Sequence, residues 1–171
     1  KSCEAVSRLK KLGATVCVIM TKNATEFVAP LTFETLSNQP CVVDTFARDF
    51  QYDVTHISLA QAADLILIAP ATADVIAKLA HGITDGPVTM AAKSHLRNGK
   101  PVVVALATND GLSASAPNLA ALLNRKNYYF VPFGQDDPQG KPTSLIADFS
   151  QLVPTVDAAL RGVQLQPLLV K

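Results

Sequence analysis

The sequence predicts an α/β fold, a parallel β-sheet with helices packed on both faces. Three observations lead there. Segments of strand and helix character alternate along the 171 residues, the pattern of repeated βαβ units. Residues 65–69 form a continuous apolar run, as expected of a parallel strand buried on both faces. The stretch ADLILIAPATADVIAKLAHGITD, residues 63–85, passes from that run through Pro70 and the small polar residues Thr72 and Asp74 into a helical pattern. Strand, tight turn and helix in that order leave the helix N-terminus pointing at open space beyond the sheet. Its first turn carries unpaired N–H groups and a partial positive charge. The junction is therefore an anion-binding position, at the strand end where open α/β sheets bind their ligands.

Residues 2–12 read as a helix with Ala5, Val6, Leu9 and Leu12 on one face and Gly13 closing it. Residues 14–20 follow as a strand. Thr21 caps a short helix over 21–28. A further helical turn spans 30–38, and 41–44 form a short strand. A loop over 46–55 leads to a short helix, 57–63, that feeds the strand 64–69. Helix 73–81 ends at Gly82. Helix 87–97 stops at Asn98-Gly99, and 101–107 form the next strand. Pro117 suits the first turn of a helix over 118–125. Residues 128–133 read as the last clear strand, 134–142 as a polar loop, and 149–162 as a C-terminal helix. The chain opens in a helix where a doubly wound sheet places a strand first. A strand and a glycine or serine turn are expected ahead of Lys1, carrying part of a phosphate site.

Composition bounds the rest. Apolar residues make up 49% and charged residues 17%, with a net charge of +1, so the chain is globular and is expected to be a single domain over 1–171. No basic stripe interleaved with aromatics argues for nucleic acid. No apolar run has the length of a membrane span, and no signal peptide is apparent. Cys3, Cys17 and Cys41 lack CxxC spacing, which suits a reducing cytoplasm, and all three are expected as core filler.

Two resemblances rest on long runs of residues. KSCEAVSRLKKLGATVCVIMTKNATEFVAPLTFETLSNQP and THISLAQAADLILIAPATADVIAKLAHGI resemble the flavin-dependent cysteine decarboxylases, phosphopantothenoylcysteine decarboxylases in particular. GITDGPVTMAAKSHLRNGKPVVVALATNDGL, NYYFVPFGQDDPQGKPTSLIADF and QLQPLLV resemble the B subunits of dipicolinate synthase. The two patterns change over at about residues 77–85. Both families imply a three-layer α/β/α flavodoxin-like fold, FMN as cofactor and a homo-oligomer built on trimers. The first implies decarboxylation with His56, in the HI-x-L motif, beside the flavin. The later Pro-Ala-Met-Asn motif of those enzymes reads Leu106-Ala107-Thr108-Asn109 here, and no cysteine follows Cys41 to form their substrate clamp. The second implies work on a small-molecule substrate with a dehydrogenase-like A subunit in making dipicolinic acid. A third reading is a scaffold that keeps the fold without catalysis.

Each candidate residue has a structural reading beside the functional one. Thr72, with the N–H groups of Ala73 and Asp74 and the turn Pro70-Ala71, would hold the FMN phosphate or ribityl chain; equally, Thr72 is an ordinary N-cap. Asp74 would repel a phosphate and is expected to point away or cap the turn. His56 suits proton transfer near neutral pH, or simply starts a helix. Thr21 and Phe27 would bond and cover the flavin, or act as N-cap and core aromatic. Asn109 would orient a carboxylate or the flavin ring, or form a turn with Asp110 and Gly111. Lys93, Arg97 and Lys100 would meet a dicarboxylate, or form a solvated basic face. His81 reads as structural at a helix C-terminus, and His95 as solvent-facing. Asp136 and Asp137 lack a third ligand, and no metal is expected.

Overall fold

The computed structural model describes residues 1–44, 59 and 61–170. Their elements are helix α1 (Ser2–Lys11), strand β1 (Val18–Ile19), a 3-10 turn (Lys22–Glu26), α2 (Pro30–Ser37), β2 (Cys41–Val42), β3 (Ile66–Ala71), α3 (Ala73–His81), α4 (Pro87–Arg97), β4 (Val102–Thr108), α5 (Ala116–Leu123), β5 (Tyr128–Phe130), β6 (Phe133–Gly134), β7 (Leu145–Ala147), a 3-10 turn (Phe149–Gln151) and α6 (Leu152–Leu160).

Strand β4 organises the larger sheet. It runs parallel to β3 on one side and to β5 on the other, with Val102 opposite both Ile66 and Tyr128. Successive residues of a strand face opposite ways, and here they feed two separate cores. Val102, Val104 and Leu106 pack with Val75, Ile76 and Leu79 of α3, Ala92 of α4 and Leu119 and Leu122 of α5. Val103 and Ala105 pack with Val131, Ala147 and Ala159, with Phe149 against them. The result is three layers, helix, sheet and helix. Residues Val102 to Ala105 are wholly buried, and full burial of each valine stabilises the fold by about 1.5–3 kcal/mol.

The N-terminal elements make their own cluster. Val6, Met20 and Phe33 form its centre, under the parallel pair β1–β2, in which Val18 faces Cys41. Two contacts tie α1 to the larger sheet. Ser2 Oγ donates to the Ala69 carbonyl at 2.9 Å, and Arg8 Nη1 donates to the Phe149 carbonyl at 3.3 Å. Among the described residues no helix is long and apolar enough to cross a membrane.

The sheet is mixed, where the sequence predicts a parallel one. Strand β7 runs antiparallel to β4, with Ala107 opposite Ile146, and antiparallel to β6. A three-residue strand is too short to show a period in the sequence, so the loop 134–142 turns out to be a hairpin connection. The tail past α6 also joins the sheet. Phe133 N–H donates to the Leu168 carbonyl and Val170 N–H to the Phe133 carbonyl, both at 3.0 Å. The expected helix 149–162 is a 3-10 turn followed by α6, which ends at Leu160.

Three side-chain expectations are overturned. His95 is wholly buried, not solvent-facing; its Nε2 lies 3.1 Å from the Pro101 carbonyl, which satisfies the ring inside the core. Leu12 is 67% exposed, because α1 ends at Lys11 and the chain leaves the core face before it. The cysteines are not core filler: Cys17 is exposed, and Cys3 and Cys41 are half-buried at the rim of the N-terminal cluster. Burial, helped by the charge of Glu34, pushes the Cys41 thiol pKa up.

Candidate functional site

Strand β3 ends in the turn Pro70-Ala71-Thr72 that starts α3. Ala71 is wholly buried, opposite Leu106 of β4, and forms the floor. Pro70 and Thr72 are exposed above it. The Ala69–Pro70 peptide is cis. Thr72 is the N-cap of α3 in extended conformation, and its Oγ1 accepts from Val75 N–H at 3.5 Å. Accepting there leaves the hydroxyl proton free to donate outward. The N-cap and ligand readings are thus compatible. The N–H groups of Ala73 and Asp74, in the first turn, have no intrahelical acceptor by position.

The Asp74 carboxylate is ion-paired along the helix. Lys78 Nζ, one turn along α3, draws it to 3.1 Å and holds Asp85 at 3.1 Å as well. Bonding to Asp85 and then to Asp74 raises the Lys78 pKa.

A second helix N-terminus meets the same edge. The Ser2–Ala69 hydrogen bond sets the first turn of α1 beside the last residues of β3. Ser2 is a residue that the sequence reading misses, although a serine opening a helix was its available signal. Two positive helix ends at one strand terminus suit a phosphate better than either alone.

Asn109 sits on the neighbouring strand, just past the end of β4. It is exposed, and Thr143 Oγ1 donates to its carbonyl at 2.7 Å. Beneath it Asp110 accepts from Thr108 Oγ1 and, at 2.8 Å, from Ser115 Oγ. The Thr108 bond first, then the Ser115 bond, hold the Asp110 carboxyl below the ordinary carboxylate value. So the Asn-Asp-Gly turn is real, and these bonds brace it at the strand end, where Asn109 is exposed.

The structure does not gather every candidate. Thr21 Oγ1 accepts from Ala24 N–H at 3.1 Å as the cap of the 3-10 turn. Phe27 is 88% exposed rather than a core aromatic. Among the described residues no hydrogen bond links either to the Pro70 edge. His56 lies outside the described residues. Lys100 leaves the basic cluster, since its Nζ caps the carbonyls of Gln61 at 2.7 Å and Ala63 at 2.6 Å. Asp136 pairs with Lys141 at 3.3 Å and Asp137 accepts from Gly140 N–H at 2.9 Å, so both serve their own loop. His81 Nε2 lies 3.0 Å from Asn118 Oδ1 at the end of α3.

Comparison with known proteins gives a consistent outcome. The family model described as Flavoprotein matches residues 1–158. The dipicolinate synthase B subunit of Bacillus subtilis (strain 168) is 48% identical over 108 residues, 63% of this chain and 54% of its own length. The coenzyme A biosynthesis bifunctional protein CoaBC of the same organism is 49% identical over 89 residues, 52% of this chain and 22% of its own. The matched span is thus about half of the one relative and under a quarter of the other. The crystal structure of the dipicolinate synthase B subunit from Bacillus halodurans C superposes with a TM-score of 0.86 and 36% identity, covering 99% of this chain and 88% of that one. Solved FMN-dependent cysteine decarboxylases share the fold.

Proposed function

The chain belongs to the Flavoprotein family, and from that premise we propose that it binds FMN at the carboxyl edge of β3 and β4 as the flavin subunit of a dipicolinate-forming enzyme. The observation that carries this reading is the likeness to the dipicolinate synthase B subunit over nearly the whole chain. The edge also fits the cofactor: an exposed turn, a hydroxyl with its proton free, two helix N-termini, and an acidic neighbour paired with a lysine.

Thr72 Oγ1 and the first-turn N–H groups of α3 and α1 would hold the phosphate. Pro70 and Ala71 would carry the chain leading to the ring, which Thr21 and Phe27 would bond and cover. FMN, once bound, supplies a two-electron acceptor for the ring of a dihydro- or tetrahydro-dipicolinate. Asn109 would orient a substrate carboxylate through its amide, and His56 would take up a proton at its imidazole nitrogen. The protein would act in the cytoplasm, as its free cysteines suggest, as a single-domain homo-oligomer, a trimer or a multiple of trimers, working with a dehydrogenase-like A subunit.

A second reading is a phosphopantothenoylcysteine decarboxylase, favoured by the HI-x-L motif at His56 and the retained Asn109. The absence of any cysteine after Cys41 weighs against it.

The test begins with the purified protein and FMN. FMN is expected to bind, and Thr72→Val to weaken it about tenfold, the loss of one charge-assisted hydrogen bond. Mixed with the dehydrogenase-like component, the flavin-loaded protein is expected to form dipicolinic acid, detected by its pyridine absorbance. Carbon dioxide release from phosphopantothenoylcysteine, abolished by His56→Asn, decides for the second reading. A protein that binds no flavin is left as a scaffold.

A further inference from the structure

At the opposite, amino edge of the sheet lies a cleft of about 360 Å³. Its walls are the end of α4, the residues following α3, and the turn between α5 and the first residue of β5. Lys93 and Arg97 stand one helical turn apart on α4, and Arg125 and Lys126 lie on the α5–β5 turn. Among the described residues no carboxylate lines the cleft. The ion pairs of the described residues engage Lys78, Lys141 and Arg161, so Lys93, Arg97 and Lys126 have no acidic partner among those residues. Arg125 is fixed in place, because its guanidinium donates to the carbonyls of Leu79 at 3.1 Å and Ala80 at 2.6 Å at the end of α3.

Cations near helix C-termini have an ordinary use, since they complement the dipole. That use accounts for Arg125, and it requires neither a cavity nor an apolar wall. Here Leu96 and the buried ring of Tyr128 help line a cleft whose volume falls in the range of small-ligand sites. Like charges gathered without a counter-charge repel one another, and an anion relieves that repulsion.

We propose that this cleft binds a small organic dianion, two acidic groups on a compact apolar body, with Lys93 and Arg97 taking one acidic group and Arg125 and Lys126 the other. The site lies at the far end of the strands from the FMN edge and does not depend on flavin binding.

Calorimetry at low salt on the full chain tests it, with benzene-1,3-dicarboxylate, benzoate and pyrophosphate as probes. The dicarboxylate is expected to bind one per chain, with benzoate about tenfold weaker for want of the second charge. The double variant K93Q/R97Q, altered at exposed positions, is expected to lose about tenfold in dicarboxylate affinity with an unchanged circular dichroism spectrum and sedimentation coefficient. Undiminished binding by the double variant, or none by the parent, overturns the site. Pyrophosphate or benzoate binding as tightly as the dicarboxylate overturns the ligand class. A double variant of altered oligomeric state identifies the face as an interface between copies of the chain and overturns the proposal.

Discussion

Ser2 Oγ donates to the main-chain carbonyl of Ala69 at 2.9 Å, across 67 residues of sequence. The bond joins the first turn of α1 to the end of β3, immediately before the Pro70–Thr72 turn. Because the hydroxyl proton is spent on Ala69, Ser2 acts by position: it sets the N–H groups of the α1 first turn beside those of α3. Ser2→Ala is expected to leave the fold intact, since one part-buried hydrogen bond contributes only about 1 kcal/mol. FMN affinity should fall about fivefold, read by quenching of flavin fluorescence. An unchanged affinity means that α1 takes no share in the phosphate.

Lys78 is the second support of that edge. It binds Asp74 and Asp85 together, and both bonds raise its pKa. Lys78→Met frees the Asp74 carboxylate within the first turn that would hold the phosphate. FMN binding is expected to weaken several-fold at low ionic strength, and less so in about 1 M salt, where charges are screened within about 3 Å. Adding Asp74→Asn should recover most of the loss. If the second change recovers nothing, Asp74 is not the source of the effect.

Asp110 links stability to pH at the neighbouring strand end. Its pKa in the folded protein lies below the ordinary value of 3.8, chiefly through Thr108 and then Ser115. A depressed carboxylate contributes stability that is fully present above the unfolded-state pKa and is lost as pH falls through the folded one. Thr108→Val should therefore lower the melting temperature at pH 7, with the deficit to the parent shrinking below about pH 4. A deficit that stays constant from pH 7 down to about pH 2.5 excludes the carboxylate as its cause.

Most of the fold was legible because its core strands are long and apolar throughout. Helices α3 and α4 fall on the predicted bounds, each fixed by a sharp stop: Gly82 at φ 70° and Gly99 at φ 69°. The β3–α3 junction was legible for the same reason, a continuous apolar run meeting a proline and a capping threonine. What escaped was set by tertiary contact rather than by local pattern. Strand β7 exists because β4 and β6 offer it hydrogen bonds, and nothing in three residues announces that. His95 belongs to a stretch that reads as polar, yet the Pro101 carbonyl waits for it in the core. The Ser2–Ala69 bond joins distant parts of the chain, so no window of sequence contains it. The basic residues mislead in a different way: proximity in sequence groups Lys100 with Lys93 and Arg97, whereas Arg125 and Lys126 share their cleft in space.

The outer edge of β5 carries the last prediction. Gln164 acts there as a one-residue strand. Its Oε1 accepts from Phe130 N–H and its Nε2 donates to the Phe130 carbonyl, both at 2.7 Å. Phe130 is 1% exposed, so both main-chain groups lose their partner together if the amide is removed. Gln164→Ala should cost about 2 kcal/mol or more, by leaving polar groups unsatisfied at a buried residue. Gln164→Glu separates the two bonds. Its carboxylate still accepts from Phe130 N–H but faces the Phe130 carbonyl with like charge, so the folded state favours the protonated form and raises its pKa. An acid with a raised folded pKa gains stability as pH falls through that value. The glutamate variant is therefore expected to approach the parent near about pH 4 and to fall behind it at pH 7, while the alanine variant keeps a constant deficit across the same range. Denaturant unfolding at the two pH values distinguishes them, and parallel behaviour of the two variants would show that the amide does not cap this strand.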